Sequence, residues 1–210
     1  MMETDKMIAS LLLDIKAIKL SPDKPFTWAS GWKSPIYCDN RLTLSYPGVR
    51  NVIRDEFAGL CRQLYPEAEG IAGVATGAIA HGILVAEKLD LPFIYIRPDA
   101  KKHGLGNQIE GYFEAGHKYL VIEDLISTGG SSLAAVASLK EAGINVLGML
   151  AIFTYGFPKA EENFREADVK LKTLSDYPSL LELAIQGGYI NEDQVASLEK
   201  WRESPDSWGK

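Results

Sequence analysis

The sequence predicts an α/β fold: a doubly wound, mostly parallel sheet with flanking helices and a small N-terminal hood. Short apolar runs over 70–75, 92–96, 119–122 and 146–153 alternate with stretches of helical periodicity. Each run is followed by small, hydroxyl or charged residues, as expected where buried parallel strands end. Because ligands bind off the carboxyl ends of such strands, we expect these four ends to share one cleft.

The length predicts a single domain. A chain of 210 residues can bury roughly 70% of its unfolded surface without disulfides or a structural metal. We expect a hood-forming segment over 1–40, an α/β core over 41–175 and C-terminal helices over 176–210, all within one domain spanning 1–210.

The charge and the terminal residues restrict the possible partners. The net charge is −6, which argues against a broad nucleic-acid footprint, since that requires a basic face. Residues 1–6 are polar and predict no signal peptide, and no apolar run approaches the roughly 20 residues that span a bilayer. Cys38 and Cys61 lie in unrelated segments and are expected to be packed or surface thiols of a reducing compartment. We therefore expect a cytoplasmic protein with no membrane partner.

The hood is predicted from the first forty residues. Apolar residues at helical spacing predict an amphipathic helix over 3–20. Two short strands are predicted within 26–41, on either side of a loop over 30–35 that contains Lys33. A lysine in a loop is by default solvated. Its aromatic neighbours, which can cover a flat ring, are Trp28, Trp32 and Tyr37.

The core begins with a helix from Pro47 to Leu64, since proline is favoured at the first helical position. The strand over 70–75 leads into Thr76-Gly77-Ala78 and a helix to Leu89. The backbone amides of that loop can hold a pyrophosphate, although small residues also occur where helices pack closely on sheets. His81, inside the helix, is predicted to be structural.

A basic segment follows the strand over 92–96. It runs over 97–108 and contains four residues that can carry positive charge: Arg97, Lys101, Lys102 and His103. It is too polar to pack, so it is expected to close over an anionic substrate, with a solvated hairpin as the alternative. A short strand over 109–113 and a turn over 114–116 come next.

The stretch over 119–132 changes character halfway along. A buried strand over 119–122 is predicted to end in Glu123 and Asp124, and a helix over 133–142 is predicted to close at Gly143. Glycines, hydroxyls and a helix start favour a phosphate, while ionised carboxylates accept hydrogen bonds from ribose hydroxyls. The order therefore suits a phosphorylated sugar; ordinary N-cap serines beside solvated acids are the alternative. No P-loop or dinucleotide-binding glycine motif is present.

The remaining elements complete the alternation. They are a strand over 146–153, a helix over 159–167, a strand over 169–174, a helix over 178–186 and a final helix that Asn191 caps and that runs toward Trp201.

Three segments carry a resemblance to a known family. The stretch over 119–132 resembles the phosphoribosyl pyrophosphate signature of type I phosphoribosyltransferases. The loop over 30–37 (Ser-Gly-Trp-Lys-Ser-Pro-Ile-Tyr) and the basic segment with its Gly-Asn-Gln-Ile-Glu-Gly continuation are similar to those of orotate phosphoribosyltransferases. The resemblance covers nearly the whole chain. It implies transfer of the phosphoribosyl group to orotate, with Mg²⁺, giving orotidine 5′-monophosphate and pyrophosphate in pyrimidine synthesis.

The resemblance also implies roles for individual residues. The expected catalytic residues are Arg97, Lys101 and His103. The expected donor-binding residues are Arg97, Lys101, Lys102, His103, Glu123, Asp124, Leu125, Ile126, Ser127, Thr128, Gly129, Gly130 and Ser131. The expected orotate contacts are Lys33, Ile36, Tyr37, Ser127 and Tyr155.

The family likeness further implies a homodimer in which the lysine and the histidine of the basic segment reach the neighbour's site. Mg²⁺ is expected on substrate oxygens and water, near Asp124, with no dedicated protein cage. Three positions depart from the family: Pro98 and Gly77 stand where other members carry lysines, and Tyr155 where some carry an arginine. The rival interpretations are a purine phosphoribosyltransferase, which would differ in the hood, and a non-enzymatic sensor of the donor, which would be expected to carry a nucleic-acid-binding module.

Overall fold

The computed structural model describes residues 3–28, 30–98 and 108–208. The helices are, in chain order, α1 (Thr4–Asp14), α2 (Pro47–Leu64), α3 (Ile79–Leu89), α4 (Gly130–Glu141), α5 (Pro158–Glu166), α6 (Tyr177–Gln186) and α7 (Glu192–Glu203). The strands are β1 (Ile18–Leu20), β2 (Phe26–Thr27), β3 (Lys33–Ser34), β4 (Ile36–Cys38), β5 (Gly70–Val74), β6 (Phe93–Ile96), β7 (Ile109–Glu110), β8 (Lys118–Ile126), β9 (Asn145–Thr154) and β10 (Leu171–Asp176). A 3₁₀ helix spans Asn40–Ser45.

A six-stranded sheet forms the centre of the molecule, in the order β10-β9-β8-β5-β6-β7. All neighbouring strands are parallel except β7, which runs antiparallel to β6. Parallel strands require crossover connections, which α3, α4 and α5 supply. The mostly parallel α/β sheet is therefore confirmed.

Helices cover both faces of the sheet. Leu120 and Ile122 of β8 pack into the core on one face, together with residues of α1, α2, α3, α6 and α7. Val121 points to the opposite face and packs with residues of α4 and α5. Successive strand residues alternate between two buried faces, as expected for a doubly wound sheet.

The prediction of a helix over 3–20 is wrong in its second half. The helix ends at Asp14, and Ile18–Leu20 forms β1, which pairs antiparallel with β4. Ile18 is buried and Lys19 is exposed, so this short run also fits the alternation of a strand. The pairing with β4 decides between the two periodicities, and it joins residues that are distant in sequence.

The predicted end of the central strand at Ile122 is also wrong. Strand β8 continues to Ile126, because β9 runs beside it and pairs Leu125 with Phe153. Glu123 and Asp124 therefore lie inside the strand instead of following it. Helix α4 begins at Gly130, three residues before the predicted start.

Smaller differences concern short elements. Only Ile109 and Glu110 of the predicted strand over 109–113 pair with a neighbour. The predicted strand over 169–174 lies at Leu171–Asp176. The segment over 26–41 contains three short strands, because β2 pairs with β3 whereas β4 pairs with β1.

The N-terminal segment packs against the C-terminal helices. The Ser175 hydroxyl donates to the carbonyl of Asp5 at 2.8 Å, and the Ser179 hydroxyl donates to the Asp5 carboxylate at 2.8 Å. These bonds fix α1 against the end of β10 and the start of α6. Within the described ranges, no helix is long and apolar enough to cross a membrane.

Candidate functional site

A cavity of about 300 Å³ lies between the hood and the carboxyl end of β8. We call it the hood cavity; its lining residues are Thr27, Trp28, Tyr37, Cys38, Leu125, Ser127 and Tyr155. Four of these residues were predicted to bind substrate: Tyr37, Leu125, Ser127 and Tyr155. They come from three distant segments of the sequence, and the fold brings them together. The position of Cys38 in the wall was not predicted.

The two other predicted orotate contacts lie differently. Lys33 is exposed, and its Nζ donates to Thr27 Oγ1 at 2.9 Å, which places the ammonium group beside a lining residue. Ile36 is fully buried and does not line the hood cavity. Its amide donates to Ser34 Oγ at 3.2 Å, and its carbonyl accepts from the same hydroxyl at 2.8 Å. Ile36 therefore holds the strand that presents Tyr37.

Aromatic rings form the floor of the hood cavity. The ring of Tyr155, 2% exposed, lies 5.2 Å from Trp28, 5.4 Å from Phe157 and 5.5 Å from Trp201, measured between ring centroids. Burial raises the pKa of Tyr155 well above its ordinary value, so the phenol is neutral at physiological pH. The floor is thus apolar and offers a hydroxyl donor. Trp201 of the last helix is fully buried and does not line the cavity, but it packs against Tyr155 and supports it, a role the sequence did not indicate.

The acidic pair at the end of β8 is deeply placed. Glu123 is 5% exposed; its Oε2 accepts from the Ser132 hydroxyl at 2.8 Å and its Oε1 accepts from the Asp124 amide at 2.9 Å. Asp124 is half-buried. Ser132 was not predicted as a site residue, since its position in the first turn of α4 suggests only a helix start.

Burial changes the protonation of this pair. Loss of water, and then the neighbouring Asp124 charge, raise the pKa of Glu123 to about 8. Burial also raises the pKa of Asp124. Without substrate, the Glu123 carboxyl group therefore favours its protonated form near neutral pH.

The raised pKa predicts a pH-dependent stability. The folded protein binds the Glu123 proton more tightly than the unfolded chain, where the pKa is near 4.5, so the carboxyl group stabilises the fold at low pH. We expect the wild-type Tm to fall more steeply than that of Glu123→Gln as the pH rises from about 5 to about 9. Calorimetry across this range, with the exposed Glu141→Gln as control, measures the difference. Parallel curves for wild type and Glu123→Gln would contradict the protonated state.

Asp124 is held from two sides. The Asn40 side chain donates from Nδ2 to the Asp124 carbonyl at 2.6 Å. The carboxylate of Asp124 lies against Gly77, where an added methyl group would overlap both carboxylate oxygens. The absence of a side chain at position 77 therefore lets the predicted pyrophosphate loop approach the acidic strand.

The predicted phosphate loop joins β8 to α4. Gly129 has a φ of +80°, and a Cβ there would lie 2.6 Å from the Phe164 ring, so only glycine fits. Asn163 of α5 donates to the Thr128 carbonyl at 2.8 Å and supports the loop from below. The N-terminus of α4 then follows at Gly130 and Ser131, which favours an anion.

Arg97 lies at the end of β6. It lines a second cavity of about 110 Å³ together with Ser131 of the phosphate loop, and its guanidinium group is 3.5 Å from the Glu110 carboxylate. Its amide donates to the Gln108 carbonyl at 2.9 Å. Arg97 and Ser131, both predicted to bind the donor, thus line the same cavity. The other predicted residues of the basic segment, Lys101, Lys102 and His103, lie outside the described ranges.

The carboxylates at the cleft bear on the predicted Mg²⁺. In the part of the chain that the structure describes, no group of three or more His, Cys, Asp or Glu side chains could hold a metal ion. Asp124 offers one carboxylate at the cleft. This donor set fits Mg²⁺ bound mainly by substrate oxygens and water, since Mg²⁺ retains several waters and uses one or two carboxylates.

Comparisons with known proteins show a close similarity. The chain is 56% identical over 204 residues to the orotate phosphoribosyltransferase of Porphyromonas gingivalis, covering 97% of each chain. It is 53% identical over 209 residues to the orotate phosphoribosyltransferase of Cytophaga hutchinsonii, covering 100% of each. The crystal structure of orotate phosphoribosyltransferase from Aeropyrum pernix matches with a TM-score of 0.77 and 27% identity, over 88% of this chain and 100% of that one. No family model matches.

Proposed function

The chain belongs to the orotate phosphoribosyltransferase family, and from that premise we propose which residues carry each part of its reaction. The enzyme transfers the phosphoribosyl group of 5-phospho-α-D-ribose 1-diphosphate to orotate, giving orotidine 5′-monophosphate and diphosphate in pyrimidine biosynthesis. The observation that carries the residue assignment is the continuity of the hood cavity with the acidic end of β8, since Leu125 and Ser127 line that cavity directly after Asp124.

Orotate, a planar anion, is proposed to bind in the hood cavity. The aromatic wall and floor suit a flat ring, and Lys33 beside Thr27 supplies a positive charge for the carboxylate. Ser127 and the neutral Tyr155 phenol supply polar contacts. Tyr37 presents its ring and backbone at the wall. Ile36 is proposed to act through the strand that it holds.

The ribose is proposed to bind at the acidic pair. Asp124 is the more exposed of the two carboxyl groups and, when ionised, accepts a hydrogen bond from a ribose hydroxyl. Glu123 is proposed to bond another ribose hydroxyl, because a protonated carboxyl group can donate as well as accept a hydrogen bond. The 5′-phosphate is proposed to lie in the loop after Ile126, on the residues Ser127, Thr128, Gly129, Gly130 and Ser131, where the glycines let the backbone approach.

Charge on the leaving pyrophosphate is proposed to be stabilised by the basic segment. Displacement at the anomeric carbon passes through an oxocarbenium-like centre, so leaving-group stabilisation contributes more than a strong nucleophile. Arg97, Lys101 and His103 are the proposed catalytic residues, with Lys102 as a further donor contact. Pro98 and Gly77 replace lysines found in other members, which leaves more of this stabilisation to Lys101.

The cofactor, the assembly and the location are also proposals. Asp124 is proposed to hold one of the waters of Mg²⁺, which when bound would neutralise charge on the pyrophosphate. We propose a homodimer in which Lys101 and His103 reach the neighbour's site. The residue types and the family likeness support a cytoplasmic location without a nucleic-acid or membrane partner.

Pyrophosphate release tests the base specificity. The protein, Mg²⁺ and phosphoribosyl pyrophosphate are mixed separately with orotate, uracil, adenine, guanine and hypoxanthine. We expect release with orotate alone, because the hood cavity pairs a flat aromatic site with a single lysine at its edge. Release with a purine and not with orotate would support a purine phosphoribosyltransferase. Binding of the donor without release for any base would support the non-enzymatic sensor.

A further inference from the structure

We propose that Asn40 is a positioning residue that couples the orotate pocket to the ribose-binding carboxylate. Asn40 is 1% exposed, and its side chain bonds to two different parts of the site. Its Nδ2 donates to the Asp124 carbonyl at 2.6 Å, and its Oδ1 accepts from the Cys38 thiol at 3.3 Å. The first bond reaches the sugar site, and the second reaches the wall of the hood cavity.

Asn40 replaces a missing strand neighbour at Asp124. The ladder between β5 and β8 ends at the pair Gly73–Ile122, because β5 stops at Val74 and turns into the pyrophosphate loop. On that side β8 continues without a partner strand just where the site begins. A buried carbonyl without a partner is costly, so the Asn40 amide both satisfies Asp124 and fixes its backbone.

A second set of bonds holds Asn40 itself. The Thr43 hydroxyl donates to the Asn40 carbonyl at 2.5 Å and lies 3.1 Å from His81 Nε2. Thr43 and His81 are 0% and 1% exposed. His81 belongs to α3, which begins directly after the pyrophosphate loop. The hood, the pyrophosphate loop and the acidic strand thus meet at one buried polar cluster of Asn40, Thr43 and His81.

The consequence is that base binding and donor binding share one support. A shift of Asn40 would move the Cys38 wall and the Asp124 backbone together. Loss of the Asn40 side-chain bonds should therefore weaken the binding of both substrates. Loss of an ordinary structural bond should lower only the amount of folded protein.

The test compares two identical substitutions. Asn40→Leu removes both side-chain bonds without adding charge, and Asn145→Leu removes a bond of the same type and length, from Nδ2 to the Gly116 carbonyl at 2.6 Å, at the opposite end of the sheet. We expect Asn40→Leu to raise the KM for orotate and for phosphoribosyl pyrophosphate each by about 10-fold. Asn145→Leu should leave both KM values unchanged. Unchanged KM values in Asn40→Leu, or a rise for only one substrate, would overturn the coupling.

Two further sets of variants cover the cases in which Asn40→Leu does not fold or the role proposed for Asp124 is wrong. If Asn40→Leu does not fold, Thr43→Val is compared with Thr43→Ser, and only the valine variant should raise both KM values. The inference rests on the proposed role of Asp124, so Asp124→Asn is measured in parallel. An unchanged KM for the donor in Asp124→Asn would remove that role and the inference with it. A raised donor KM there, with normal KM values in Asn40→Leu, would overturn the inference alone.

Discussion

Lys101→Ala is expected to lower kcat by about 100-fold or more while the KM for each substrate changes less, as for a group that acts mainly on the transition state. The reason is that Lys101 is proposed to stabilise the charge that develops on the leaving pyrophosphate. Pro98 and Gly77 carry no charge, and Arg97 shares its charge with Glu110 at 3.5 Å, so these three positions offer little compensation. Steady-state kinetics with both substrates varied gives the two parameters separately.

The control for this prediction is Lys170→Ala. Lys170 is exposed and precedes β10, at the end of the sheet away from the cleft. Its removal changes the net charge equally and should leave kcat unchanged. A normal kcat in Lys101→Ala, or an equal loss in both variants, would contradict the role proposed for the basic segment.

Gly77→Ala is expected to lower kcat/KM for phosphoribosyl pyrophosphate by about 100-fold. The new methyl group would overlap the Asp124 carboxylate. The backbone of Asp124 is fixed by β8 and by Asn40, so the carboxylate has to rotate away from the ribose or the pyrophosphate loop has to move. Either response separates the acidic strand from the loop, and kinetics with the donor as varied substrate detects it.

Gly59→Ala is the matched substitution, because a Cβ at Gly59 meets no atom within 4 Å and the residue lies inside α2. It should keep normal kinetics and gain a little stability, since alanine favours a helix over glycine by about 1 kcal/mol. If Gly77→Ala keeps the same kcat/KM for phosphoribosyl pyrophosphate as Gly59→Ala, the close contact between the loop and Asp124 does not contribute to activity.

Mixing the Gly77→Ala and Lys101→Ala variants tests whether Lys101 acts in the active site of the neighbouring subunit. Gly77→Ala retains Lys101, and Lys101→Ala retains an intact acidic strand. If Lys101 acts in the neighbour's site, mixed dimers contain one complete site, and random mixing should restore about a quarter of wild-type activity. No recovery after unfolding and refolding the mixture would show that Lys101 acts within its own chain.

The sequence predicted those parts of the fold that local patterns control. Apolar runs bounded by glycine and acidic residues located the core strands, and Pro47 marked the start of α2 as predicted. The errors came where a distant strand decides the structure. Ile18 is strand because β4 lies beside it, and Glu123 is strand because β9 continues beside β8. Such pairings join residues far apart in sequence, and local periodicity alone does not reveal them.

The site was predictable to the extent that residue type indicates chemistry. Paired acids, glycines and hydroxyls led to the proposed sugar phosphate site, and the structure gathers Tyr37, Ser127 and Tyr155 around one cavity. The supporting residues were not predictable. Asn40 and Ser132 act through hydrogen bonds to Asp124 and Glu123, which only the fold brings near them, so nothing in their immediate sequence distinguishes them from ordinary polar residues.

The aromatic floor of the hood cavity has a consequence for synthesis of the protein. Trp28 and Trp201 pack against Tyr155 from early and late parts of the sequence, with ring centroids 5.7 Å from each other. The proposed phosphate loop precedes α7 in the sequence, whereas Tyr155 at the proposed orotate pocket lacks its Trp201 contact until that helix has been synthesised. We expect a nascent chain to acquire affinity for the sugar phosphate donor before it acquires affinity for the base.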